Sequence, residues 1–192
     1  MEKEYFPPGN MLYPIPAVMV SCAGKNQKPN IITVAWAGTV CSSPAMVSVS
    51  IRKERYSYDI IKESGEFVIN LVTEELTKAA DFCGVRSGRD IDKFKEMKLT
   101  PVPGRLEQAP MIAQAPVSIE CRVKEIIPLG SHDMFLAEVV NVAVDKSYMD
   151  EKGKFHLNKT KLIAYSHGEY YGLGKLIGKF GYSVKKPDKK RK

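Results

Sequence analysis

The chain has 192 residues, of which 44% are hydrophobic and 27% charged. That is one ordinary globular domain with a core of useful size. The net charge is +7, from 29 Lys and Arg against 22 Asp and Glu, but six of those bases and one acid, Asp188, fall in residues 185–192. The remaining body holds 23 bases and 21 acids, which argues against a basic folded face for nucleic acid. Residues 1–184 are expected to fold as one domain, and 185–192 to form a disordered, solubilising basic tail. The four cysteines, Cys22, Cys41, Cys83 and Cys121, include no C-x-x-C pair, against a zinc knuckle. The chain opens on charged Met1-Glu2-Lys3-Glu4, and no apolar run approaches the length of a membrane span. A soluble cytoplasmic protein with reduced thiols is expected.

In chain order, Tyr5–Pro16 holds four of the twelve prolines and reads as an irregular arm. Strands are predicted at Ala17–Ala23 and Asn30–Ala37, joined by a turn at Gly24-Lys25-Asn26-Gln27. Ser43-Pro44 breaks the pattern. A third strand is predicted at Val47–Lys53, with Val47, Val49 and Ile51 on one face and Ser48, Ser50 and Arg52 on the other. A short helix, Ser57–Ser64, closes on Gly65. Glu66–Val72 is nearly continuous in apolar character and reads as a central strand, with Asn70 as a satisfied buried amide.

Thr73–Phe82 carries a helical stripe of Leu76, Ala79, Ala80 and Phe82 that Cys83-Gly84 ends. Val85–Asp92 is a polar loop, and Ile91–Met97 a second short helix. Pro101–Pro110 is loop. Pro116–Ile127 alternates Val117, Ile119, Cys121 and Val123 against Ser118, Glu120, Arg122 and Lys124. It pairs with Met134–Val144 across the turn Gly130-Ser131-His132-Asp133. A brief strand follows at Leu162–Tyr165. Strands dominate without regular helical crossovers. The fold class is therefore mostly β with peripheral helices, an antiparallel barrel.

Chemistry concentrates between Asn30 and Tyr58. A helix that starts at Ser57 leaves backbone N–H groups unpaired and partial positive charge, a setting that binds phosphate. Arg52 and Arg55 lie just upstream and add charge-assisted donors. The plainer reading is that Ser57 only caps the helix and the arginines are solvated, and Asp59 in the first turn favours it. Trp36, the only tryptophan, reads equally as a ring-stacking residue and as a core or interface aromatic. Arg86, Arg89 and Lys93 read, on the residues alone, as a solvated loop paired with Asp90 and Asp92. His132 sits in a turn, and His156 and His167 read as surface or structural. There is no acid pair, Ser-His-Asp set or metal cluster in the pattern. That is compatible with chemistry carried by a bound cofactor.

The motif N-x-x-T-V-A-W at Asn30–Trp36, the S-x-P-type break and the R-x-S at Arg55–Ser57 together resemble the flavin reductase-like family, nearest to its flavoredoxin branch. S-G-R-D-I-D-K-F at Ser87–Phe94, G-S-H at Gly130–His132 and the glycine-rich Tyr170–Ser183 resemble it too, in the same order. The resemblance implies an FMN-binding split β-barrel and a homodimer. It implies that Thr33, Val34, Ala35 and Trp36 lie against the isoalloxazine ring, with Ser50 and Ile51 beside them. Arg52, Arg55, Tyr56 and Ser57 are then the phosphate end, with Ser87, Gly88 and Lys93 as a second electropositive contribution. Cys83 is placed near the flavin or simply buried. His132 is implied as the catalytic residue that places a nicotinamide or stabilises reduced flavin; here its neighbour is Ser131 where many relatives carry an acid.

The activity implied is a two-electron exchange in which FMN accepts from NAD(P)H or a reduced carrier and passes electrons on. No G-x-G-x-x-G follows a strand and opens a helix, so a nicotinamide donor would dock transiently. Two alternatives stand beside this reading: a flavin carrier without turnover, and a nucleic-acid-binding β-barrel with a basic tail. Neither a membrane nor a nucleic-acid partner is expected.

Overall fold

A computed structural model of the chain describes residues 1–184. The predicted basic tail, 185–192, lies outside the described residues. In chain order the elements are β1 (Ile15–Pro16), β2 (Val18–Cys22), β3 (Asn30–Val34), β4 (Ala37–Ser42), β5 (Ala45–Ile51) and α1 (Tyr56–Ser64). Then come β6 (Glu66–Leu71), α2 (Thr77–Val85), α3 (Lys93–Glu96), β7 (Pro101–Val102) and β8 (Met111–Ile112). The long hairpin β9 (Val117–Pro128) and β10 (Asp133–Val144) precedes β11 (Ile163–Ser166) and β12 (Glu169–Gly172).

Seven strands form one antiparallel sheet in the order β3-β2-β6-β9-β10-β5-β4. The sheet curls far enough that β3 and β5, first and sixth in that order, line one cavity together. This is the split barrel, with helices at its periphery. Its inner face buries Val20, Val49, Phe67, Cys121 and Phe135 with Tyr58, Ile60 and Ile61 of α1. A second cluster joins Met19 and Ile31 to α2 and α3 through Ala80, Cys83 and Phe94. Two layers over one sheet leave β2 buried along its whole length, as a strand covered on both faces must be.

The central strand is where the sequence places it, and Asn70 is fully satisfied. Its amide nitrogen donates to Met19 O, Val68 O and Ser21 Oγ, and its oxygen accepts from Ile112 N and Ser118 Oγ. Gly65 closes α1 at φ 69°, donating its N–H to Ile61 O. The alternation of β5 also holds, with Val47, Val49 and Ile51 buried.

Several boundaries differ. The strand expected to reach Ala37 stops at Val34. The chain then turns, with Ala37 N–H bonded to Ala35 O and Ser50 N–H to Trp36 O, and β4 begins. A continuous run of β-formers hides a turn from a propensity reading. Cys83 and Gly84 do not end α2; they lie inside it. Gly84 is tolerated because it packs closely on β3: an added Cβ would stand 3.3 Å from Thr33 Cβ. The third helix is only four residues, and β12 was not predicted.

The polar face of β9 is covered at its start, since Ser118 and Glu120 are buried. The segment 104–109 covers that face and supplies two of the partners of Glu120. Glu120 accepts N–H bonds from Arg105 (2.6 Å) and Leu106 (3.0 Å) and a third from the Asn141 amide. A buried carboxylate is stable only with such donors.

Candidate functional site

The site follows the gap between β3 and β5 and continues past the start of α1. Two cavities of about 200 Å³ each meet at Ile32 and Arg55. Thr33, Val34, Ala35 and Trp36 form one wall of the first, and Ser50, Ile51 and Arg52 the other. Gly84 and His132 complete it. The second is lined by Tyr56 and Ser57 at the start of α1, by Arg86, Ser87, Gly88 and Arg89, and by Lys93.

The walls of the first cavity are fixed by backbone. Thr33 Oγ1 donates to Ala80 O, pinning β3 to α2. Trp36 O accepts from Ser50 N–H, so the connector after β3 is tied to β5. His132 enters from the turn between β9 and β10, with Nδ1 2.9 Å from Ser131 Oγ. Partial burial, then the Arg52 guanidinium, lower its pKa from the ordinary imidazole value. The ring is therefore neutral at neutral pH.

The second cavity is cationic. Arg55 Nη2 donates to Gly84 O, which holds its guanidinium between α1 and α2. Lys93 is 3% exposed, and its Nζ donates to Ile31 O at 2.6 Å and Cys83 O at 2.8 Å. Burial lowers its pKa to about 8. Two carbonyls take two of its three donors. Ser57 is not the N-cap that the sequence suggested. Arg55 occupies that position without a side-chain cap bond, and buried Ser57 Oγ accepts instead from Asn30 Nδ2 at 2.7 Å. Asp59 is exposed and lines neither cavity, so it does not compete with an anion there.

The ion pairs expected of Arg86, Arg89 and Lys93 with Asp90 and Asp92 are absent among the described residues. Asp92 instead caps α3, accepting from Lys95 N–H. Arg89 Nη1 bonds Glu54 O, and its guanidinium lies 5.5 Å from the Tyr56 ring centroid. Glu54 also lines this cavity and pairs with Arg52, so four cations face one carboxylate there; an excess of cationic donors around a cavity suits a phosphate.

The structure brings together all but one of the sequence-predicted residues. Cys83 is fully buried behind the wall, its thiol raised to about 11 mainly by burial, and it contributes only a carbonyl. Arg52 lines the first cavity with His132 and is absent from the second. It is 3.6 Å from Glu54 at the surface. Asn30, Ile32, Gly84, Arg86 and Arg89 were missed. Asn30 opens the N-x-x-T motif, the one signal that marked it. A further cavity of about 580 Å³ adjoins the first through Ala35, Trp36, Ser50 and His132, and is walled by Met11, Leu12 and Leu129.

Residues 11–174 match the family described as flavin reductase like domain. A solved flavoredoxin of Desulfovibrio vulgaris (Miyazaki F) is 33% identical, with a TM-score of 0.88 over 96% of this chain and 100% of that one. A flavoredoxin from Methanosarcina acetivorans is 26% identical, with a TM-score of 0.84 over the same shares. An uncharacterized protein of Archaeoglobus fulgidus is 31% identical over 160 residues, 83% of this chain and 88% of that one.

Proposed function

The chain belongs to the flavin reductase-like family, and from that membership we propose that it is a flavoprotein oxidoreductase. It holds FMN in the groove, accepts two electrons from NAD(P)H or a reduced carrier protein, and passes them to an acceptor. The likeness to flavoredoxins supports this reading, and one observation carries it. A slot between β3 and β5 leads directly into a cavity ringed by Arg55, Arg86, Arg89 and Lys93. A flat ring joined to a phosphate has that shape and that charge distribution.

The residues present fit FMN. Gly88 lies so close to Asn30 and Tyr56 that a Cβ there would be 2.1 Å from Asn30 Oδ1. The absence of a side chain there lets its backbone pack directly on Asn30 and Tyr56 at the edge of the cationic cavity, which supports a phosphate cradle. Arg55, Ser57, Lys93 and the Ser87-Gly88 backbone would hold the phosphate, and the Thr33–Trp36 edge with Ser50 and Ile51 would hold the ring. Bound flavin supplies the redox chemistry, and the protein supplies binding, orientation and electrostatics.

His132 is the titratable side chain where the ring cavity meets the apolar one. Neutral at working pH, it offers one N–H and one acceptor without placing positive charge beside Arg52. It positions a co-substrate carbonyl or amide and carries a proton at the ring's edge. Two copies forming a homodimer complete the reading. No described helix is long and apolar enough to cross a membrane.

Anaerobic stopped-flow mixing of the FMN-loaded protein with NADH, NADPH or a reduced carrier tests the activity. Bleaching of the flavin band within the turnover time is expected with at least one donor. A flavin that stays oxidised with all of them leaves a carrier and refutes the enzyme.

A further inference from the structure

We infer that Tyr58 is a positioning residue for His132, acting through the hydrogen bond it donates to the buried Asp133 carboxylate. The inference rests on the reading of His132 given above and names what holds that side chain at the cavity.

His132 has no buried anchor of its own. Among the described residues its only side-chain hydrogen bond is with the Ser131 hydroxyl, on the same exposed turn. Where the imidazole stands is therefore set by the backbone of the turn. His132 O accepts from Leu129 N–H at 3.1 Å. The next residue, Asp133, starts β10 and pairs with Ile51 of β5 and Pro128 of β9. Asp133 is buried, and its side chain ties the turn to the interior. Its Oδ2 accepts from the Tyr58 hydroxyl at 2.6 Å. Its Oδ1 accepts no hydrogen bond among the described residues and lies 3.6 Å from the exposed Lys53 ammonium.

Tyr58 is itself well fixed. Its ring is buried and meets Phe135 edge-on, with 5.3 Å between centroids. Phe135 lies two residues along β10, on the same face as Asp133. The carboxylate, then burial, push the Tyr58 phenol up to about 12, so it stays a donor at neutral pH. Tyr58 also follows directly on Tyr56 and Ser57, which line the phosphate-side cavity. One turn of α1 thus shapes the cationic cavity with its first two residues and holds the His132 turn with its third. Without the Tyr58 hydroxyl, Asp133 is a buried carboxylate with no hydrogen bond, a costly state. It turns toward Lys53 and water, and His132 moves with it. A displacement of about 1 Å can cost on the order of a hundredfold in rate. Tyr58 lines neither the ring cavity nor the phosphate cavity, so flavin binding is spared.

The test is Tyr58→Phe in the full chain, with the three histidines titrated by NMR and the His132 signal assigned by its loss in His132→Ala. Partial burial and the Arg52 guanidinium hold the His132 midpoint down, against Glu54. A displaced ring loses both, so Tyr58→Phe is expected to raise that midpoint toward the ordinary imidazole value and to leave His156 and His167 unmoved. Lys53→Met is expected to leave all three in place, since an exposed ion pair contributes little. In the FMN-loaded protein, Tyr58→Phe is expected to keep FMN affinity within about twofold and to slow single-turnover reduction by NADH or NADPH at least about tenfold. If Tyr58→Phe does not fold, Asp133→Asn, a weaker acceptor, is read by the same titration and is expected to shift His132 in the same direction. An unmoved His132 midpoint overturns the proposal, as does an equal shift of all three histidines, which marks general loosening. Should His132→Ala be reduced as fast as the natural protein, the catalytic reading of His132 fails, and the titration still decides whether Tyr58 positions it.

Discussion

Lys93 makes flavin affinity depend on pH in a way that can be computed. Its ammonium is 3% exposed and bonded to two carbonyls, and burial brings its pKa from 10.5 to about 8. In the ligand-free protein this costs the fold about 3 kcal/mol at neutral pH, at 1.36 kcal/mol per pH unit. The sign follows: the lowered pKa destabilises the fold below pH 8, and the penalty is relieved as pH rises toward 10.5. Phosphate binding reverses the preference, because a dianion beside Nζ favours the charged amine. FMN and the proton therefore bind cooperatively. Above pH 8 the free protein loses that proton, and FMN affinity falls up to tenfold per pH unit. Between pH 7 and 9.5 the loss reaches about thirtyfold, or about 2 kcal/mol. The FMN phosphate, with a second pKa near 6, stays dianionic throughout. Cys83 and Cys22, pushed up to about 11 and about 12, stay neutral. Fluorescence titrations of FMN and riboflavin across this range provide the assay. FMN is expected to show the decline, riboflavin to lack it, and Lys93→Met to abolish it. An FMN affinity that is flat to pH 9.5, or a decline shared by riboflavin, refutes the reasoning.

Arg55→Ala and Ser57→Ala are each expected to weaken FMN by roughly 1–3 kcal/mol in the same titration, through lost charge-assisted or hydroxyl bonds. Riboflavin affinity should change much less. His132→Ala is expected to retain FMN and slow its reduction by a donor, read by single-turnover stopped flow; an unaltered rate makes His132 a turn residue only. Gly88→Ala drives a Cβ to 2.1 Å from Asn30 Oδ1 and 2.8 Å from the Tyr56 ring. It should lower FMN affinity at least about tenfold, with little change in urea midpoint if loop 85–92 yields locally. Glu120→Ala strips the partner from the buried Leu106 N–H, the partly buried Arg105 N–H and the Asn141 amide. It should cost about 3 kcal/mol or more of unfolding free energy, while FMN binding to the folded protein is kept.

Strand periodicity made most of the sheet legible: β5, β6 and the β9–β10 hairpin all lie where alternation or apolar runs put them. The glycine at position 65 marked the end of α1 because only a left-handed residue closes that turn easily. Elements defined by tertiary contact were not legible. The turn at Ala35-Trp36 is set by a bond to β5, and Gly84 sits in a helix because β3 approaches it closely. Ser57 has the chemistry of a cap, but its oxygen is taken by Asn30, a residue 27 positions away. Glu120 alternates as a solvent residue would, and only the returning segment 104–109 buries it. In the candidate site, the motif residues at 33–36 line one cavity and those at 55–57 the adjoining one. Arg86 and Arg89 were read as paired with local acids. Sequence proximity gave no sign that Asp92 caps a helix and leaves the arginines free.

If one groove takes a flat ring at Trp36 and its phosphate among Arg55, Ser57 and Lys93, the purified protein carries flavin or takes it up. The visible absorption of the purified full chain, before and after incubation with FMN and gel filtration, tests it most directly. Flavin bands are expected to co-elute with the protein, either as isolated or after loading. A colourless protein that takes up no added FMN contradicts it.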